Sequence, residues 1–190
     1  MSDYLNRIKT LLDCIEFTDY IGKRSEYEEG VSRVVGRLRE CKAERGSLFL
    51  CGNGGSAGIA QHMAADFLKN AGVRIHDLFG QTTITCISND LGYEHVFCRQ
   101  LELMADSRDI LIAISSSGES ENIISAIETM RMYGGYIVTL TGFQRENRIR
   151  KMGDMNIYVP VCHYGITESI HNLILQHCVD LMVDLDSTDQ

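Results

Sequence analysis

The chain has 190 residues, enough for one domain with a full core. At 44% hydrophobic and 23% charged it has the make-up of an ordinary globular protein, and no apolar run approaches the roughly 20 residues of a membrane span. Eighteen basic residues against 26 acidic ones give a net charge of −8, which argues against non-specific binding to nucleic acid or to an anionic membrane.

In chain order, Tyr4 to Ile21 carries apolar residues at Leu5, Ile8, Leu11, Leu12, Ile15 and Tyr20, a helical period. Its start, Met1 to Thr10, is mostly polar and does not read as a signal peptide. A second helix is expected from about Ser25 to Lys42, with Val31, Val34, Val35 and Leu38 on one face. These two helices, residues 1–44, have no strand of their own to cover, so their apolar faces are expected to meet another subunit. The seven cysteines are odd in number and form no C-x-x-C pair. They read as reduced, small, buried hydrophobes, which predicts a cytoplasmic protein.

The next stretch, Ser47 to Leu68, organises the rest. Leu48 to Cys51 is a short apolar run that predicts a buried strand. A turn follows through Gly52, Asn53, Gly54, Gly55 and Ser56, then a helix with Ile59, Met63 and Phe67 in period. Strand, glycine-rich turn and helix start together make an anion site, because glycines let the backbone approach an oxyanion and free N–H groups attract it. Ser56 can cap the helix or bond the ligand. No Lys-Ser or Lys-Thr follows the glycines, which argues against a nucleoside triphosphate. His62 and Asp66 stand at i, i+4 on one face of that helix, a potential base or metal pair.

Beyond it, Val73 to Leu78 is a possible strand, and Gln81 to Ser88 is open between strand and short helix. Tyr93 to Met104 is helical. Asp109 to Ser115 is the clearest buried parallel strand. Ser120 to Tyr133 is a helix ended by Gly134-Gly135. Tyr136 to Thr141 and Ile157 to Val161 read as strands, and Thr167 to Leu185 as a closing helix. The alternation predicts a parallel sheet with helices on both faces and one domain, 1–190, with the sandwich from 45 onward. Ser115-Ser116-Ser117-Gly118-Glu119-Ser120 repeats the earlier logic, with hydroxyls and helix-start amides suited to a small-molecule phosphate. Both polar loops fall at strand C-ends, so they can share one site.

GNGGSAGIAQH, SND, ISSSGESENI and VTLTG, in this order, resemble the sugar isomerase (SIS) domain, and more narrowly its phosphoheptose isomerase branch. The resemblance covers most of the chain. It implies a five-stranded parallel sheet in a three-layer α/β/α sandwich (flavodoxin-like), a homotetramer with sites between subunits, and conversion of sedoheptulose 7-phosphate to an aldose phosphate. It implies a sugar-phosphate partner and no nucleotide cofactor. Carried over by motif, Asn53, Gly54 and Gly55 match the first substrate loop, Asn89 and Asp90 an Asn-Asp pair, and Ser115, Ser116, Ser117 and Ser120 the phosphate loop. His62 matches a zinc ligand, and Asp66 falls where the isomerases carry a glutamate that binds zinc and acts as base. In the last helix Glu168 replaces a glutamine ligand, and Gln176 replaces the late histidine. His177 is adjacent but rotated by about 100° around the axis. The resulting assignment is Asp66 as base, His171 as acid, and His62, Asp66, Glu168 and Gln176 around zinc, with His163 as a further candidate. A non-catalytic relative stands as the alternative, as a sugar-phosphate sensor or as a binding partner of a replication initiator.

Overall fold

The computed structural model describes residues 3–188, with side chains as far as Asp184. A helix α1 (Asp3–Leu12) leads into a hairpin of β1 (Glu16–Asp19) and β2 (Arg24–Ser25), then α2 (Tyr27–Ala43). The long first helix expected from the apolar period therefore stops early. Asp19 accepts from the amides of Ile21 (3.1 Å) and Lys23 (2.9 Å), and Gly22 takes φ +83°. That local turn chemistry outweighs a helical period that is only partly apolar. Phe17 of β1 is fully buried and packs against Gly30 of α2, where any side chain would collide with it.

The core elements follow: β3 (Ser47–Gly52), α3 (Gly55–Lys69), β4 (Arg74–His76), α4 (Gln81–Leu91), α5 (Cys98–Met104), β5 (Ile110–Ser115), α6 (Glu121–Met132), β6 (Tyr136–Thr141), β7 (Met155–Tyr158) and α7 (Tyr164–Thr188). The open stretch Gln81–Ser88 is helical despite its β-branched residues, and Thr85 returns its hydroxyl to the Gln81 carbonyl (2.9 Å).

The sheet runs β2-β1-β7-β6-β5-β3-β4. Five strands from β7 to β4 are parallel, and the hairpin adds two antiparallel strands at one edge. The expected five-stranded parallel sheet is thus present and extended. Along β3 and β5 every residue is buried, and alternate ones feed two cores. Leu48, Leu50, Ile110 and Ile112 pack with α2, α3 and α7 on one face. Phe49, Cys51, Leu111 and Ala113 pack with α5 and α6 on the other. The chain leaves β3 toward β4 and returns past it to β5, so the order reverses between β3 and β5. In an open parallel sheet that reversal opens a crevice at the strand C-ends.

Cys41, Cys51, Cys98 and Cys178 are buried as expected, but Cys14, Cys86 and Cys162 are exposed; all seven are free thiols. Burial pushes the Cys178 thiol up to about 12. Among the described residues no helix is long and apolar enough to cross a membrane.

Candidate functional site

The crevice between β3 and β5 holds a cavity of about 110 Å³ lined by Asn53, Ser56, Ile114, Ser115, Ser116, Ser117, Ser120, Tyr164 and Glu168. Both polar loops contribute, as their positions at strand ends required. Gly54 turns the chain at φ +54° into α3. The helix starting there has no side-chain cap, and neither does α6 at Ser120. Two helix N-termini with open N–H groups therefore face one small space, an arrangement that attracts an anion.

The serine rim is held by its own short bonds. Ser115 Oγ accepts from the Gly118 amide (3.2 Å) and lies 3.3 Å from Ser120 Oγ. Ser117 Oγ accepts from the Glu119 amide (3.3 Å). Gly118 sits at φ +69°, and a Cβ there would run into Asn147. Asn147 in turn donates to the Gly142 and Gln144 carbonyls and accepts from the Arg150 amide (3.0 Å). Ser116 also lines the cavity, while its own hydroxyl is buried and makes no hydrogen bond.

Asn53 is fixed by a network that pattern reading did not supply. It exchanges amide hydrogen bonds with Asn122 of α6 (2.9 Å each way), and Tyr93 donates its hydroxyl to Asn53 Oδ1 (2.8 Å). The carbonyl of that amide is saturated, so what Asn53 offers the cavity is its second N–H. Asn122 lies inside the quoted ISSSGESENI motif; Tyr93 reaches the site from a 3₁₀ turn, Tyr93–His95, so the helix expected over Tyr93 to Met104 is broken and its regular part begins only at Cys98. Tyr164 was also missed. It packs edge-on against Phe143 (4.7 Å between centroids), a bulky residue held at φ +55° beside the cavity.

The last helix brings in Glu168. Thr167 anchors that turn by donating its hydroxyl to the Val161 carbonyl (3.2 Å), and Ile166 and Ile170 are buried on either side. The Glu168 carboxylate lies against Gly55, the first residue of α3; a Cβ on Gly55 would occupy the carboxylate's place.

Other expected residues lie elsewhere. His171 is fully buried, with Nε2 3.0 Å from the Thr141 carbonyl and Nδ1 unpartnered. Burial lowers its pKa to about 4. It is a buried tether between α7 and the end of β6, outside the cavity lining, and not an acid facing the site as expected. His163 Nδ1 accepts from the Ile166 amide (3.3 Å) at the start of α7. His177 stacks on Tyr27 and shares a 3.0 Å hydrogen bond with its hydroxyl. Asn89 and Asp90 bond to each other (2.8 Å) on exposed α4, outside the cavity lining.

The zinc donors do not converge within the chain. His62 Nε2 and Asp66 Oδ2 are 3.8 Å apart one turn along α3, with His62 exposed and Asp66 half-buried. Gln176 instead donates to Asp180 (3.1 Å), and Glu168 is turned to Gly55. Among the described residues no three His, Cys, Asp or Glu side chains form a metal-holding group. Among the described residues of one chain, the expected donors therefore do not gather around a zinc ion.

Residues 16–142 match the family model described as the SIS domain. The chain belongs to the SIS-domain family. Its sequence is similar to those of the phosphoheptose isomerases of Helicobacter pylori (34% identical over 159 residues, covering 80% of this chain and 82% of the relative) and of Aliarcobacter butzleri (35% over 175 residues, 83% and 92%). In structure it is similar to the phosphoheptose isomerase of Neisseria gonorrhoeae, with TM-score 0.76, 29% identity, and coverage of 81% of this chain and 86% of that one. The membership accounts for the order of the motifs and for the β4-β3-β5-β6-β7 arrangement of the parallel strands.

Proposed function

We propose that this SIS-domain protein is an aldose–ketose isomerase of a sugar phosphate, with sedoheptulose 7-phosphate as the foremost substrate. The observation that carries this reading is the cavity where the Asn53–Ser56 and Ser115–Ser120 loops meet at two uncapped helix starts. Helix-start N–H groups and serine hydroxyls around one small space suit a phosphate. The relatives named above are phosphoheptose isomerases, which supports the same chemistry.

Size divides the ligand. A water molecule takes about 30 Å³, so 110 Å³ admits a phosphate group but not a whole seven-carbon sugar. The phosphate sits against the serines, and the sugar carbons extend past Glu168 and Asn53 toward the mouth. Grip on the remote phosphate then orients the reacting carbons. A larger groove of about 590 Å³ lies between Leu12, Phe17, Tyr27 and Leu173, but Asp13, Glu16, Glu26 and Glu28 line it. Four carboxylates against Arg24 make it a poor place for a dianion.

The sugar's outer part needs walls that one chain lacks. Helices α1 and α4 bury no residue within the chain, and Tyr4, Leu5, Leu91 and Tyr93 are exposed. A homo-oligomer, a tetramer in this reading, would cover those faces and bring Asn89 and Asp90 to a neighbour's ligand. Zinc enters only in such an assembly, where His62 and Asp66 could gain donors from a second copy. Free thiols throughout suit a cytoplasmic setting. The alternative, a non-catalytic partner of a replication initiator, has no support from these relatives.

The test is turnover. Purified protein incubated with sedoheptulose 7-phosphate should yield an aldose phosphate, followed by NMR. No conversion of any ketose phosphate, with or without added zinc, would overturn the reading.

A further inference from the structure

A second hollow, of about 360 Å³, lies at the hairpin edge of the sheet, between the β1–β2 turn and the segment after β6. No residue lines both it and the serine cavity. Four cationic side chains border it, Arg24, Arg145, Arg150 and Lys151, in a chain whose net charge is −8. We infer that this hollow is a second anion site, which takes the phosphate group of a small molecule. The site is independent of the isomerase reading above.

Its charges meet at one carboxylate. Glu16 of β1 accepts from Arg24 (3.0 Å), from Arg145 and from Arg150. Arg150 belongs to the framework: it is 9% exposed, lies over the Tyr158 ring (4.2 Å to the centroid) and donates to the Arg145 carbonyl (2.8 Å). Tyr158 is itself the partner of Glu16 across β1 and β7. A buried guanidinium needs such a pairing, and one arginine is enough to tie Glu16. Arg24 and Arg145 reach the same carboxylate from exposed positions, each through Nη2. The rest of each guanidinium fork is left for another acceptor. Three guanidinium groups on one carboxylate leave two positive charges over. Lys151 is matched by Glu146 (2.8 Å). Asp19 supplies the other carboxylate of the lining, and the amides of Ile21 and Lys23 occupy its Oδ1. The balance stays positive, and a recess concentrates its field on an anion.

Geometry and size select the ligand. A guanidinium fork presents paired N–H groups that match two oxygens of a phosphate. Arg24 enters from β2, and Arg145 and Lys151 from the segment after β6, so a group between them is held from two sides. Arg24 also borders the larger groove, but Asp13, Glu26 and Glu28 line that wall, so an anion takes the Arg145 side. At 360 Å³ the hollow is about three times the serine cavity and enters the range of small-molecule sites, about 300–1,000 Å³. It has room for a phosphate with a small organic body. Tyr20 and Ile21, both exposed at the hairpin tip, give that body an apolar wall. The acidic chain as a whole disfavours a nucleic acid backbone as the source of the phosphate.

The test is amide NMR of the whole protein titrated with inorganic phosphate, with chloride at equal ionic strength as the control. The amides of Gly22, Glu146 and Lys151 should shift and saturate in phosphate but not in chloride, with a midpoint of their own, distinct from that of the Ser116, Ser117 and Ser120 amides. The double variant Arg145→Gln/Lys151→Gln removes two charges from exposed positions and should raise the midpoint at the hollow by about tenfold, as loss of charge-assisted contacts implies. Arg24→Gln should raise it by about threefold, a single exposed contact, and decides the matter if the double variant does not fold. A parallel titration with glycerol 3-phosphate separates the two sources of the group. A lower midpoint for the ester assigns the organic body to the Tyr20–Ile21 wall, and an equal one assigns free phosphate. Hollow amides that stay unmoved in phosphate, that shift equally in chloride, or that keep their midpoint in the folded variants would overturn the site.

Discussion

The serine rim after β5 and the His62–Asp66 flank of α3 are both polar, and sequence motifs mark both. The structure treats them differently. The rim closes on a cavity with Asn53 and Ser56 opposite, while the flank meets no third donor among the described residues. The rim is made by rules of nearest neighbours: a buried strand ends, a glycine turns the chain, a helix begins. The flank acquires a role only through side chains from distant elements or another copy. Motif similarity is therefore a safe guide to the first region and an incomplete one to the second.

The comparison breaks most visibly at Gly118. Replacing it with Ala forces a side chain into φ +69° and into Asn147. A strained left-handed residue costs about 1–3 kcal/mol and each lost Asn147 hydrogen bond about 1 kcal/mol, so about 4 kcal/mol of stability should go, with phosphate affinity falling at least tenfold. Denaturant unfolding and a phosphate titration measure the two.

Next comes acid. His171 is neutral in the fold, its pKa lowered to about 4 from 6.5. The unfolded chain binds the extra proton first, so His171 contributes stability above pH 6.5 that is lost as pH falls toward 4. At 1.36 kcal/mol per unit the loss is about 3 kcal/mol. His171→Gln, which keeps a donor for Thr141, should flatten that slope in urea unfolding at pH 4–7.

A smaller effect sharpens the rim's own half. Tyr93→Phe removes one donor to Asn53 while leaving the Asn122 exchange. One neutral hydrogen bond is worth about 1 kcal/mol, so ligand affinity should weaken about fivefold and the fold should persist. The smallest effect belongs to the flank. His62 is well exposed and 3.8 Å from Asp66, so His62→Ala should change stability by less than about 0.5 kcal/mol.

Much of this was legible beforehand. The parallel core was readable because β3 and β5 are continuous aliphatic runs, and both loops because glycine and serine follow those runs directly. The hairpin was not. Its signal, Asp19 and Gly22 in a turn, lies inside a helical period that Ile15 and Tyr20 extend. The exposed helix α4 was ambiguous because threonines and isoleucines favour strands by their side chains, while a helix there satisfies its own backbone. Tyr93 could not be read because its bond to Asn53 spans 40 positions. His171 was misread because a polar residue on a motif suggests chemistry, and only the packing of α7 on β6 reveals a buried tether.

The most direct measurement is amide NMR of the protein titrated with sedoheptulose 7-phosphate. The account predicts that the amides of Ser116, Ser117, Ser120 and Gly55 shift first and saturate together, with Asn53 following. Shifts confined to the wider groove around Leu12, Tyr27 and Leu173, with the serine amides unmoved, would contradict it.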